Sequence, residues 1–140
     1  MGRGGLAYRA AHKAEADKHV LVVESDDGVF APQSFGFTGS DSARAIMKQI
    51  GALLKRVGPI TIGANGGGAD IEPMMELGVP GVGLEVDGSR YFWFHHTEAD
   101  TMDKLDPMEM QRCVAAMAVL AFIAADMPER LPRAARPGTQ

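Results

Sequence analysis

The sequence predicts an α/β fold, an open and mainly parallel sheet with helices on both faces. Three observations carry that expectation. The run from His19 to Ser25 (HVLVVES) is continuously apolar and β-branched between charged ends, as strands buried on both faces of a parallel sheet are. The stretches 41–57 and 108–127 instead repeat their apolar residues every three or four positions, the period of an amphipathic helix. The two patterns alternate along the chain, and that alternation belongs to sheets whose crossovers are helical.

Taken in order, residues 1–5 are short, glycine-rich and basic, and are expected to be a flexible lead-in. Leu6 to about Ala16 are strong helix formers, with Leu6, Tyr8, Ala10 and Ala14 available to one face and His12 on the surface. After the first strand, residues 29–39, with Pro32, Phe35 and Phe37, read as an irregular ordered loop. Ser40 or Asp41 caps a helix that runs to about Val57, carries Lys55 and Arg56 where the helix dipole favours cations, and stops at Gly58. Pro59 to Ala64 is a short strand. Asn65 to Asp70 (NGGGAD) then leads into a helix ending at Gly78. This loop has no lysine and no Walker spacing, so it is not read as a phosphate cradle; its glycines let backbone approach something closely, and Asp70 caps the helix. Val79 to Asp87 is the next strand and Tyr91–Phe94 an aromatic one. A long helix from about Met108 to Met127 buries Met110, Val114, Met117, Leu120, Ala121 and Ala124, and Pro128 ends it. Residues 6–128 thus make one α/β domain, followed at 129–140 by a disordered tail without periodicity.

With 140 residues, 46% hydrophobic and 23% charged, the chain has the composition of an ordinary globular protein large enough for a real core. A net charge of -4 with no basic run excludes a nucleic-acid footprint. The single cysteine, Cys113, excludes an intrachain disulfide and sits among small apolar residues that make it inert. The first twenty residues lack a signal-like apolar run and no window approaches a membrane span, so the chain as it stands is expected to be cytoplasmic with no membrane partner.

The chemistry concentrates in two places. Glu24, Asp26 and Asp27 crowd the carboxyl end of the first strand, where like charges repel unless a cation, a base or water separates them. The stretch Tyr91–Thr101 (YFWFHHTEADT) brings an aromatic strand to paired imidazoles, His95 and His96, which a continuing strand would point to opposite faces. Asp100 and Thr101 are expected to order that turn, and Asp103 or Asp106 to cap the helix beyond it. Loops after strands gather at one sheet edge, so that edge is expected to hold residues 24–27, the glycines at 66–68 and the histidines. Carboxylate with imidazole suits a divalent metal such as zinc, although Asp26 and one histidine fall short of the three protein ligands a catalytic zinc usually takes.

The strings ESDDG (Glu24 to Gly28), GGGADI (Gly66 to Ile71) with GVPG (Gly78 to Gly81), and YFWFHHTEADTMDKLDP (Tyr91 to Pro107) closely resemble the carboxyl-terminal part of the di-zinc exopeptidases of the carboxypeptidase Q type. The opening RGGLAYRAAH is similar to the segment that follows the catalytic glutamates there. The resemblance implies a truncated zinc-exopeptidase fold acting on peptides or another small hydrolysable substrate, two zinc ions per complete site, and relatives that are secreted or periplasmic. It implies that Asp26 binds one zinc and His96, followed by Thr97, the other. Glu24, Asp27, Gly67, Gly68, Asp70, His95 and Asp100 then fall to substrate contact or support. The counterparts of the first histidine ligand, the bridging aspartate and the general-base glutamate precede Met1, so no catalytic residue is assigned within the chain. Two alternatives stand beside this reading. One is a homo-oligomer, paired through an exposed sheet edge, whose composite site of Asp26 and His96 from two chains acts on esters or phosphoesters. The other is a metal-free structural or interaction module.

Overall fold

The computed structural model describes residues 2–134. Within it helix α1 (Arg3–His12) runs into a 3-10 turn at Lys13–Lys18, and strand β1 follows at Val22–Glu24. The expected lead-in is therefore partly helix: Gly5 is buried, and a side chain there would strike the Asp70 carbonyl and Pro73. Strand β2 (Pro32–Thr38) and helix α2 (Asp41–Leu53) come next, the helix closing in a 3-10 turn at Leu54–Arg56. Then follow β3 (Thr61–Ala64), the single-turn α3 (Glu72–Met75), β4 (Gly81–Val86), the short α4 (Tyr91–Phe94) and the long α5 (Pro107–Asp126).

The four strands lie in the order β1-β4-β2-β3. The pairs β1–β4 and β2–β3 are parallel, and the two halves meet antiparallel at β2–β4, where Gly36 faces Gly83. The α/β class and the open sheet are as expected. The surprise is β2, read as a loop from its proline and glycines, which proves to be an inner strand. Its alternation explains this: Phe35 and Phe37 are fully buried on one face, while Ser34, Gly36 and Thr38 take the other. Pro32 is tolerated because it is the first residue of the strand. β1 is shorter and less buried than its apolar run predicts, because it lies at a sheet edge with a neighbour on one side only.

One face of the sheet carries the main core. Phe35, Phe37, Val82, Leu84 and Val86 meet Ala43, Met47, Ile50 and Leu54 of α2 and Cys113, Ala116 and Leu120 of α5. Ser40 caps α2, its Oγ accepting from the Ala43 N–H at 3.1 Å and donating to the Pro132 carbonyl at 2.7 Å. The expected tail is placed as far as residue 134: Leu131 is buried in the core and Arg133 Nη2 donates to the His19 carbonyl at 2.6 Å. The rest of it, residues 135–140, lies outside the described residues. Helix α5 buries Leu120 and Ala124 as expected, but its buried stripe continues through Cys113 and Ala116 and leaves Met110 and Val114 exposed. By length and composition this helix is also apolar enough to cross a membrane, contrary to expectation, though here its inner stripe packs on the sheet.

The opposite face is nearly bare of side chains. Gly36, Gly63, Gly81 and Gly83 lie on it, and the loop from Asn65 to Asp70 crosses it against Gly36 and Gly83 while Met75 covers Gly81. Any Cβ on Gly66 would overlap the backbone of Gly36, and one on Gly68 the carboxylate of Glu24. The glycines do serve close backbone approach, and the partner is the sheet itself. Gly66→Ala is expected to cost about 3 kcal/mol or more in denaturant unfolding, as overpacking against backbone does. Gly58→Ala, where a Cβ meets nothing nearer than Ile60 Cγ1 at 3.9 Å, should change stability by no more than about 0.5 kcal/mol.

Candidate active site

Residues 24–27 leave the carboxyl end of β1, and the loop after β3 reaches them by an indirect route. Because β3 runs opposite to β1, its carboxyl end lies at the far side of the sheet; the 65–70 segment folds back across the glycine face instead of sharing an edge. The result is a cavity of about 330 Å³ lined by Glu24, Asp26, Asp27, Asn65, Gly66, Gly67, Gly68 and Glu85.

Glu24 is structural in this arrangement. Its Oε2 accepts from the N–H groups of Asp70 at 3.0 Å and Ile71 at 3.2 Å, in the turn that leads into α3. Asp70 was expected to cap α3; its side chain makes no cap bond, because a carboxylate delivered from β1 already occupies the position. Glu85 was missed altogether in the sequence. It projects from β4 onto the glycine face beside Gly36 and Gly63, where it accepts from Ser34 Oγ. Period-2 alternation in GVGLEV would have placed it there, had the glycine face been recognised as a surface.

The histidine segment differs from expectation in its local structure. Tyr91–Phe94 is one turn of helix, not a strand, and Phe92 and Trp93 are 81% and 67% exposed. The segment joins none of the four strands, and four aromatics with high β-propensity coil locally instead. The rings then form a column: Tyr91 stacks on His95 at 4.4 Å, and His95 on His96 at 3.8 Å. The two imidazoles thus share a side, where a strand would have parted them. His96 holds a left-handed backbone, with φ 57. The turn beyond is ordered by Thr97, whose Oγ1 donates to the Phe94 carbonyl at 2.7 Å and accepts from the Ala99 N–H at 3.2 Å. Asp106 caps α5 as expected, accepting from Met108 and Glu109.

Asp26, Tyr91, His95, Asp100 and Lys104 line one small cleft of about 100 Å³ together with Phe30 and Phe94. Asp26 and the imidazole column therefore stand on one rim, with His95 as the histidine on the cleft wall. Partial burial, followed by the charges of Asp27, Asp26 and Asp100, holds the Tyr91 phenol above its usual range. Among the described residues no group of three or more His, Cys, Asp or Glu side chains is placed to hold a metal ion. Asp26 with one imidazole does not by itself fit zinc.

The sequence comparisons give this open α/β sheet its family. This chain belongs to peptidase family M28, which it matches over residues 3–121. It is 46% identical over 132 residues to carboxypeptidase Q of Mus musculus and 42% identical to that of Homo sapiens, alignments that cover 94% of this chain and 28% of each relative. Among solved structures, a peptidase M28 precursor from Shewanella amazonensis SB2B superposes with a TM-score of 0.86 at 33% identity, over 95% of this chain and 30% of that one. The chain spans less than a third of the length of these relatives.

Two outcomes test the geometry. Glu24→Ala leaves two N–H groups without their carboxylate and is expected to cost about 2 kcal/mol in denaturant unfolding, with Glu24→Gln costing less. Cys113 is buried, its Sγ donating to the Phe30 carbonyl at 3.1 Å, and burial followed by the nearby Glu109 charge pushes its thiol up. It should therefore resist a thiol-reactive dye at pH 8 until the chain is unfolded, and prompt labelling of folded protein would contradict that packing.

Proposed function

We propose that this chain works in the hydrolysis of peptide bonds in short peptides, as the part of a zinc-dependent exopeptidase that supplies Asp26 and one imidazole of the His95–His96 pair. The single observation that carries this is the shared rim: Asp26 and His95 line one cleft, and His96 stacks on His95. Membership of a peptidase family supports it. The donors present stop short of the roughly three a catalytic zinc takes, so the remaining ligands and the general base are contributed from beyond the described residues. Of the two histidines, His96 is the proposed ligand. Sequence resemblance favours it, and a left-handed backbone at a residue other than glycine is strain of the kind that functional sites retain. Glu24 and Asp27 are proposed to support the rim and His95 to face substrate, with Gly67 and Gly68 forming the floor.

The test is a chimera in which this chain replaces the aligned portion of the Shewanella amazonensis peptidase. The chimera is expected to cleave the short peptides that its parent cleaves. Asp26→Asn within it should lower kcat by about a hundredfold or more, in line with losing a group that holds a catalytic metal. His96→Ala is expected to reduce bound zinc more than His95→Ala does. A folded, zinc-loaded but inactive chimera would overturn the proposal, and equal zinc loss in the two histidine variants would reassign the ligand.

A second reading draws on the outer edge of β1, where Leu21, Val22 and Val23 border an apolar groove. Pairing of two chains through a sheet edge would produce a composite site acting on esters or phosphoesters. Sedimentation of the purified chain as a dimer with stoichiometric zinc supports that reading, and a metal-free monomer removes it.

A further inference from the structure

The cleft that holds Asp26 and His95 is walled by three separate segments: the turn at 26–30, the stretch 91–100, and the approach to α5 at 104–105. None of the three pairs with the others through sheet hydrogen bonds. One side chain touches all of the elements they belong to. Arg90 immediately precedes α4, and its Nη2 donates to both carboxylate oxygens of Glu109, at 2.8 and 2.7 Å, in the first turn of α5. Its guanidinium also lies 4.6 Å above the centroid of the Phe30 ring. Phe30 is 4% exposed, stacks on Phe94 at 6.4 Å, and accepts from Cys113 Sγ of α5 through its carbonyl. It follows the left-handed Gly28, four positions after Asp26.

We propose that Arg90 is the positioning residue of the candidate site, bracing the Asp26 turn and the histidine segment against α5 so that the carboxylate and the imidazoles meet on one rim. The inference rests on the proposed function for its importance, but the brace stands on its own geometry. Two features make Arg90 suited to this. Its planar guanidinium can satisfy a carboxylate in plane while its face rests on an aromatic ring, which a lysine ammonium cannot do. The pair is also mostly shielded, at 30% and 20% side-chain exposure, so water competes with it less than with the surface pairs. Glu109 is itself held, since its N–H donates to Asp106 at 3.1 Å, so the carboxylate that receives Arg90 is fixed to the start of α5.

Amide hydrogen exchange and imidazole spectra of the purified chain test the brace without any need for turnover. In Arg90→Met, exchange at His95 and Thr97, whose N–H groups bond to Tyr91 and Phe94, is expected to speed up by about tenfold relative to wild type. Exchange at Phe35 and Phe37 in β2 should stay within about twofold. The ring-current shifts of the His95 and His96 C–H signals, which report the 3.8 Å stack, should collapse together. Glu109→Gln is expected to reproduce part of the effect, Arg90→Lys to leave the stack loosened, and the exchanged pair Arg90→Glu with Glu109→Arg to recover part of it. Unchanged His95 and Thr97 exchange in Arg90→Met overturns the proposal. So does a uniform rise across β2 and the histidine segment alike, which would make Arg90 a contributor to global stability only. These outcomes are separate from those of the proposed function: an inactive chimera leaves the brace standing, and an intact histidine stack in Arg90→Met leaves the peptidase reading standing.

Discussion

Backbone can lie in contact with the face of a β-sheet only where no side chains stand up from that face. Here the requirement is met by glycine on both sides: Gly36 and Gly83 within the sheet, Gly66 and Gly67 in the loop that crosses it. This contact brings the 65–70 loop from the far end of β3 back to the carboxyl end of β1. There Glu24 completes the seating by accepting from Asp70 and Ile71. The acidic turn, the loop and Glu85 then share one cavity. Side chains on Gly36, Gly66 or Gly83 would strike the opposing backbone and lift the loop from the sheet.

Across the rim, the histidine segment is organised by different means. It joins none of the strand pairs, and is held from its two ends and through its rings. Thr97 closes the turn after it, Arg90 fastens the residue before it to α5, and the Tyr91–His95–His96 column aligns the imidazoles. The exposed Phe92 and Trp93 are a consequence: a single helical turn anchored on one side through Phe94 and Tyr91 leaves the intervening rings outside.

The relation to carboxypeptidase Q and to the Shewanella amazonensis peptidase gives these local facts their setting. The chain covers under a third of these relatives' length, and within it β1 forms an outer edge of the sheet while the long α5 leaves Val114 and Phe122 exposed.

By itself the sequence determined the α/β class, the two long helices to within a few residues of their ends, with Ser40 and Asp106 among the expected caps, the strands around Val23, Ile62 and Leu84, and the family through local strings. All of these are encoded in residues close together along the chain, in periodicity, caps and motifs. Tertiary structure decided the rest. Only pairing with β3 and β4 shows Pro32–Thr38 to be an inner strand, because Pro32 and Gly36 read as loop until Gly36 is seen on the glycine face of the sheet. Only the full structure shows Tyr91–Phe94 to be helix, and only the return of the 65–70 loop gives the N–H groups ahead of α3 to Glu24. Those outcomes depend on which distant backbone lies alongside, and no local pattern of residues contains that information.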